Sequence, residues 1–207
     1  KEWGADVLID DPRFSWGMPP ANSANYAWMQ HMIYHLAPKG TLALVLANGS
    51  LSSNSGGEGV IRRKLIEAGM VDCIVALPKQ LFYNTGIPAC LWFISKSSPR
   101  PEETLFIDAS ELGFMIDRTH RDFGNDDLKQ ITTTYHAWRN DEADYEDQKG
   151  FCKSADLKEM EKHGFVLTPG RYVGIHDEED DGIPFEEKIG ALAKELSEQM
   201  KKEAELN

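Results

Sequence analysis

Residues 71–96 read VDCIVALPKQLFYNTGIPACLWFISK, and this stretch decides the fold. Two apolar runs, 71–77 and 87–94, are short and rich in β-branched and aromatic residues, the pattern of strands covered on both faces. The nine residues between them, 78–86, are too many for a tight hairpin turn. A longer loop between two core strands usually serves function or irregular packing. This one carries Leu81, Phe82 and Tyr83, which a simple connector does not need, followed by Asn84, Thr85 and Gly86. A flat aromatic beside small polar groups, held on rigid strands, suits the grip of a planar ligand such as a nucleobase.

Upstream, residues 41–47 (TLALVLA) read as a fully buried strand. A helix capped within 22–25 precedes it, with Tyr26, Met29, Ile33 and Leu36 on one face. A polar loop, 48–57 (NGSLSSNSGG), follows it. Ser55 and Glu58 have the spacing of a capping box, which predicts a helix over 56–68, stopped by Gly69. Helix, strand, helix, strand, long loop, strand is the second half of a doubly wound α/β sheet. Downstream, 104–108 predicts one more strand, and 125–139 predicts a helix with Leu128, Ile131, Tyr135 and Trp138 on one face. Residues 154–163 predict a short helix capped by Ser154 or Asp156, and 165–172 an extended, proline-broken segment. The expected organisation is therefore a half-sheet over 1–108, a helical and irregular extension over 109–183, and a last helix over 184–207.

The 207 residues, 41% of them hydrophobic, suffice for one substantial core plus extensions. No apolar run approaches membrane-spanning length, and no signal peptide is visible. The three cysteines, Cys73, Cys90 and Cys152, lack metal-type spacing and read as thiols of a reducing cytoplasm. A net charge of −12 means that any contact with DNA is local, or that a basic partner supplies the phosphate contacts.

Several polar groups invite a functional reading. Ser52, Ser53 and Asn54 stand where a helix start offers amides to a phosphate or to DNA, although a capping loop is the plainer reading. His31 and His35 have i, i+4 spacing but no third ligand nearby, so no metal site is expected. Arg62, Arg63 and Lys64 read as a solvated basic face. Asp11-Pro12-Arg13-Phe14 reads as a surface turn.

Residues 35–96, with TLFIDA at 104–109, DRTHR at 117–121 and TYHAWR at 134–139, resemble the modification subunit of type I restriction-modification systems. The resemblance runs from residue 1 to about 172, and its Leu-Pro-x-x-x-Phe at 77–82 is far more specific than a lone glycine pattern. It implies an N6-adenine DNA methyltransferase of class I, Rossmann-like fold that uses S-adenosylmethionine. Such enzymes hold the amino group of a flipped adenine with Asn-Pro-Pro-Phe or Tyr. That signature is not in this sequence, nor is a glycine-rich cofactor loop, so no catalytic residue is assigned and no cofactor is expected on these residues alone. The abrupt opening suggests a piece of a longer chain. Asp11 is a poor substitute for the missing tetrapeptide, because Arg13 replaces its second proline and no buried strand precedes it.

In that family the loop aromatic stacks on the extruded adenine, a role that falls on Phe82. Tyr83 is the neighbour able to take its place, and Asn84 and Thr85 are possible pocket lining. The resemblance further implies a specificity subunit, DNA, a second methylation subunit and a restriction subunit as partners, with no membrane. The last helix carries a stripe of threes and fours that includes Ile189, Leu192, Leu196 and Met200, a candidate seam for such a partner. The rival reading is a non-catalytic interaction module built on a partial α/β fold.

Overall fold

Seven strands and five α-helices follow one another in a computed structural model that describes residues 3–140, 145–175, 189–190, 193–194, 196–197 and 199–200. The strands are β1 (Thr41–Ala47), β2 (Val71–Ala76), β3 (Ala89–Ser95), β4 (Glu103–Asp108), β5 (Phe114–Met115), β6 (Arg121–Asp122) and β7 (Cys152–Asp156). The helices are α1 (Asn25–His35), α2 (Glu58–Glu67), α3 (Asn125–Arg139), α4 (Leu157–Lys162) and α5 (Gly170–Val173). The chain divides into two units, Lys1–His176 and Asp177–Asn207. All elements named here belong to the first.

Five strands form one mixed sheet in the order β1-β3-β2-β4-β7, and β5 and β6 form a separate hairpin. The antiparallel β3 lies between β1 and β2, in register from Thr41↔Ser95 to Ala47↔Ala89 on one side and up to Ala76↔Cys90 on the other. β2 and β4 run parallel, and β7 closes the far edge antiparallel to β4. Alternation along β2 and β4 feeds two cores, one on each face of the sheet. Ile74 and Phe106 join Tyr26, Met29 and Ile33 of α1 and Ile61 and Leu65 of α2. Cys73, Val75, Leu105 and Ile107 join Trp138 of α3 and Phe151. The expected α/β half-sheet is therefore present as helix, sheet, helix layers.

Four local expectations are corrected. β1 is not buried on both faces: its residues alternate between exposed and half-buried. It is an edge strand, with only β3 beside it, so Leu42, Leu44 and Leu46 reach the core while the opposite face, with Val45, stays open. An all-apolar run reads the same whether one face is covered or two. The capping box of Ser55 and Glu58 does not form. Gly56 (φ 54) and Gly57 (φ 91) turn the chain in left-handed conformations, and α2 starts only at Glu58. The buried Glu58 carboxylate instead accepts from the Ser23 hydroxyl at 2.8 Å. Ser154 does not cap α4; it pairs with Leu105 inside β7, a strand that its polar sequence CKSAD did not reveal. Asp156 is the cap, accepting from the Glu159 amide at 2.8 Å. Because β7 returns to the sheet, residues 109–175 pack in one unit with the strands before them.

Arg62 is the fourth correction. Arg63 and Lys64 are exposed, but Arg62 is 0% exposed. It lies on the same helix face as Ile61, Leu65 and Ile66, the buried stripe of α2. Its guanidinium donates to the Phe165 carbonyl at 2.7 Å, the Ser53 carbonyl at 2.6 Å and Asn54 Oδ1 at 3.0 Å. A buried charge persists only when its donors are met in this way. On the opposite face, Arg139 at the end of α3 pairs with the wholly buried Asp72 of β2.

Arg62→Met should keep the side-chain bulk but orphan three acceptors. We expect a loss of about 2–4 kcal/mol, from the price of unpaired buried groups. Urea unfolding of the 207-residue chain followed by circular dichroism measures it; a change within experimental scatter would show that the guanidinium is not a structural tie.

Candidate functional site

The loop joining β2 to β3 spans residues 77–88 and arches over the end of the sheet where β1 and β2 finish. Leu77 and Pro78 are buried, and Leu81 packs on the α3-side core, so the loop's first half is anchored. Residues 82–85 then turn tightly, with the Thr85 amide donating to the Phe82 carbonyl at 3.3 Å. The Thr85 hydroxyl accepts from the Ile87 amide at 3.1 Å and fixes the exit.

Phe82 is 37% exposed. It lines an open cavity of about 370 Å³ together with Asn25, Val45, Ala47, Thr85 and Ile87, among others. Asn25 opens α1 and Ala47 ends β1, so the pocket lies at the carboxyl end of the sheet, as ligand pockets of open α/β sheets do. Of the predicted lining residues, Phe82 and Thr85 are brought together there. Tyr83 and Asn84 are not among the lining residues, and the Tyr83 ring lies against His120, centroids 4.6 Å apart. Sequence reasoning missed Asn25, Val45 and Ile87 as lining. The open face of β1, which carries Val45, was hidden by the assumption of two-sided burial.

A buried polar knot ties α1 to the turn after β1. The Tyr26 hydroxyl donates to the Ser50 carbonyl at 2.6 Å, and Trp92 Nε1 donates to the Ser50 hydroxyl at 3.1 Å. Burial pushes the Tyr26 phenol up to about 12. Ser52 is exposed and its amide, like that of Ser53, bonds the Gly49 carbonyl; the Ser55 amide bonds the Ser53 hydroxyl. Asn54 Oδ1 and the Ser53 carbonyl serve Arg62. The amides of Ser52, Ser53 and Ser55 are thus engaged within the loop itself.

Asp11 is taken by Arg13, whose Nε donates to Oδ1 at 2.7 Å within a short turn. That hydrogen bond, with the Arg13 backbone bond, pulls the carboxyl down to about 2. Arg13 also donates to His31 Nδ1 at 2.9 Å, and His35 Nδ1 donates to the His31 carbonyl at 2.8 Å. Among the described residues no cluster of His, Cys, Asp or Glu could hold a metal ion. Cys73, Cys90 and Cys152 are free and buried, and desolvation raises each thiol. In the second unit, Ile189, Leu196 and Met200 are helical and exposed; Leu192 lies outside the described residues.

The chain that carries this half-open aromatic pocket is similar to known proteins. A family model of the N-6 DNA methylases matches residues 1–181, and the chain belongs to that family. It is 55% identical to the type I restriction enzyme HindI methylase subunit of Haemophilus influenzae, over all of this chain and 46% of that protein. The MjaIX methylase subunit of Methanocaldococcus jannaschii is 43% identical over 97% of this chain and 37% of its own length. The type I restriction-modification methyltransferase subunit of Streptococcus thermophilus superposes with a TM-score of 0.74 at 30% identity, over 84% of this chain and 36% of that one. The chain thus spans less than half the length of the curated relatives it matches.

The Tyr26 knot has a pH signature. A phenol near 12 in the folded chain and at its ordinary 10.0 when unfolded binds more protons folded than unfolded between those values. Its stabilising contribution is complete below pH 10 and declines as pH rises toward 12. Tyr26→Phe should therefore flatten the loss of stability above pH 10 relative to the parent chain. Urea unfolding of both across that range tests it, and parallel curves would show that Tyr26 does not carry the effect.

Proposed function

We propose that this chain is the carboxyl-terminal part of a type I DNA methylation subunit. The complete subunit transfers a methyl group from S-adenosylmethionine to adenine N6 in DNA. The observation that carries the reading is Phe82, a ring half open to solvent in a cavity at the carboxyl end of the sheet. A base leaving the duplex needs a surface that repays its lost stacking, and an aromatic edge in an open cavity offers one. The uncovered apolar edge of β1 agrees with this, since an exposed seven-residue strand without charge or proline invites another strand.

The chemistry divides accordingly. An exocyclic amine is a poor nucleophile and must be aligned, with acceptors on its N–H groups as charge develops. Residues 77–88 supply alignment. Acceptors are not supplied by Asp11, which Arg13 holds. Nor do the described residues fit the adenosyl cofactor. The glycine-rich turn after β1, 48–57, is filled by Arg62 and by Pro20, whose Cβ lies 2.3 Å from where a Gly56 Cβ would stand. The donor's site belongs to the rest of the subunit. Partners on this reading are DNA, a specificity subunit, a second methylation subunit and a restriction subunit, in the cytoplasm. Among the described residues no helix is long and apolar enough to cross a membrane. The stripe Ile189, Leu192, Leu196 and Met200 is the proposed seam for the specificity subunit, because a helix of this length is marginal alone in water.

In the full-length subunit, assembled with its specificity subunit, Phe82→Ala should raise the barrier to methylation by about 1–3 kcal/mol without changing the melting temperature. Transfer of labelled methyl groups to a target duplex measures this. Parental rates in that variant would defeat the stacking role and favour the interaction-module alternative. Separately, deleting residues 184–207 should abolish co-purification with the specificity subunit while cofactor binding persists. Normal assembly of the truncated subunit would assign the stripe to the subunit's own core.

A further inference from the structure

Tyr83 follows Phe82 directly yet takes no part in its pocket. Its ring is 81% exposed, with one face against the His120 imidazole. His120 is itself locked in place. Its Nδ1 meets Asp117 Oδ2 at 2.8 Å, and its amide donates to Asp117 Oδ1 at 2.8 Å. The Thr119 amide and hydroxyl donate to the same oxygen at 2.7 and 2.9 Å. These bonds, the Thr119 amide foremost, hold the Asp117 carboxyl well below the usual carboxylate range. The segment carrying them is fastened to the pocket loop: the Arg121 amide donates to the Gln80 carbonyl at 2.9 Å, and Gln80 adopts a left-handed φ of 66° to present it.

A surface tyrosine needs no such scaffold for stability. Fixing an exposed ring costs side-chain entropy that burial does not offset. The arrangement is what pre-organisation for a flat partner requires, one face braced and the other free. Two exposed cations, Lys79 earlier on the same loop and Arg118 in the turn that carries His120, form no ion pair among the described residues. They are local positive charges on a chain of net charge −12.

We infer that Tyr83 is a second base-stacking residue, whose free face stacks on the base next to the adenine drawn into the Phe82 pocket, while Lys79 and Arg118 hold the flanking phosphates. This rests on the methyltransferase reading given above. Extruding one base strips its neighbours of a stacking partner, and a rigid aromatic beside the pocket replaces it. The ring is neutral and reads no sequence, since every base has a π-face. Phosphate contacts from Lys79 and Arg118 position the duplex without specifying it. Tyr83 is thus a substrate-positioning group, and His120 acts through it.

The test uses the full-length subunit with its specificity subunit, on duplexes whose target adenine is either paired or mismatched. Tyr83→Ala should lower kcat/KM on paired DNA about tenfold, the worth of one aromatic–base stack. Tyr83→Phe should restore most of the rate, and His120→Ala should fall between. The Tyr83→Ala defect should shrink on the mismatched target, where extrusion costs less, and 2-aminopurine at the target position should fluoresce less in that variant. Arg118→Ala should reduce the slope of DNA affinity against salt by about one phosphate. Melting temperatures should match the parent, because the ring is exposed. Parental kinetics for Tyr83→Ala, or an equal loss on both duplexes, would overturn the inference. So would a loss of specificity-subunit binding with DNA affinity intact, which would make this face a protein contact. Phe82→Ala run in parallel separates the two readings: if it is impaired and Tyr83→Ala is not, only the present inference fails.

Discussion

The antiparallel β3 strand, hydrogen-bonded on both sides, is the constraint from which the site follows. With β3 between β1 and β2, the chain leaving β2 must reverse direction and re-enter beside it. The reversal can occur only at the carboxyl ends of β1 and β2. A parallel third strand would have required a crossover helix and carried the connection to the opposite end. Residues 77–88 are therefore committed to the sheet end where open α/β folds bind ligands, and Phe82 sits over β1 because β1 is the other neighbour of β3. The aromatic pocket is a consequence of strand order before it is a property of any residue.

Two buried charges hold the helical layers against that sheet. Arg62 joins α2, the turn after β1 and the bend at Phe165 through hydrogen bonds to the Ser53 and Phe165 carbonyls and Asn54 Oδ1. Arg139 meets Asp72, in a strand otherwise apolar, where the β2–β3 register shifts between Val71 and Cys73. The bulge gives the carboxylate room to turn toward α3. Burial as such requires neither charge, since replacing a whole pair such as Arg139–Asp72 by apolar groups of similar shape is often as stable, whereas removing one partner alone is costly. Each fixes a geometry instead: which turn of α2 faces the loop, and how far α3 slides along the sheet.

Much of this was legible in the sequence. The paired runs at 71–77 and 87–94, the long loop between them and the helix at 125–139 carry strong periodic signals, and the structure keeps them within a residue or two at most ends. What was not legible depends on neighbours. β1 and a central strand look alike as TLALVLA, because periodicity reports apolar character and says nothing about strand order. β7 reads as polar since it is a short edge strand whose Ser154 serves Trp138. Arg62 was hidden by its chemistry, as a charge inside a basic triplet suggests solvent. Yet its spacing from Ile61, Leu65 and Ile66 marks it as core-facing. At the site, residue type and loop length singled out the loop and the family resemblance singled out Phe82 within it, while the contact of Tyr83 with His120 lies 37 positions further along. No local pattern encodes that contact.

The charge of the chain decides how such a site can work. A duplex is held mainly by cations, and each phosphate contact is lost as salt rises. A chain at −12 cannot supply that field broadly. What it can supply is interactions that do not depend on net charge. On the proposed reading, stacking on Phe82 would be neutral and would keep its value at physiological salt, where surface ion pairs are screened within about 8 Å. Exposed cations remain effective where they act on a phosphate at close range, the part proposed for Lys79 and Arg118. The division of labour is thus physical. On the proposed methyltransferase reading, long-range attraction to the duplex would fall to a basic partner and short-range capture of a single base to the loop over the sheet.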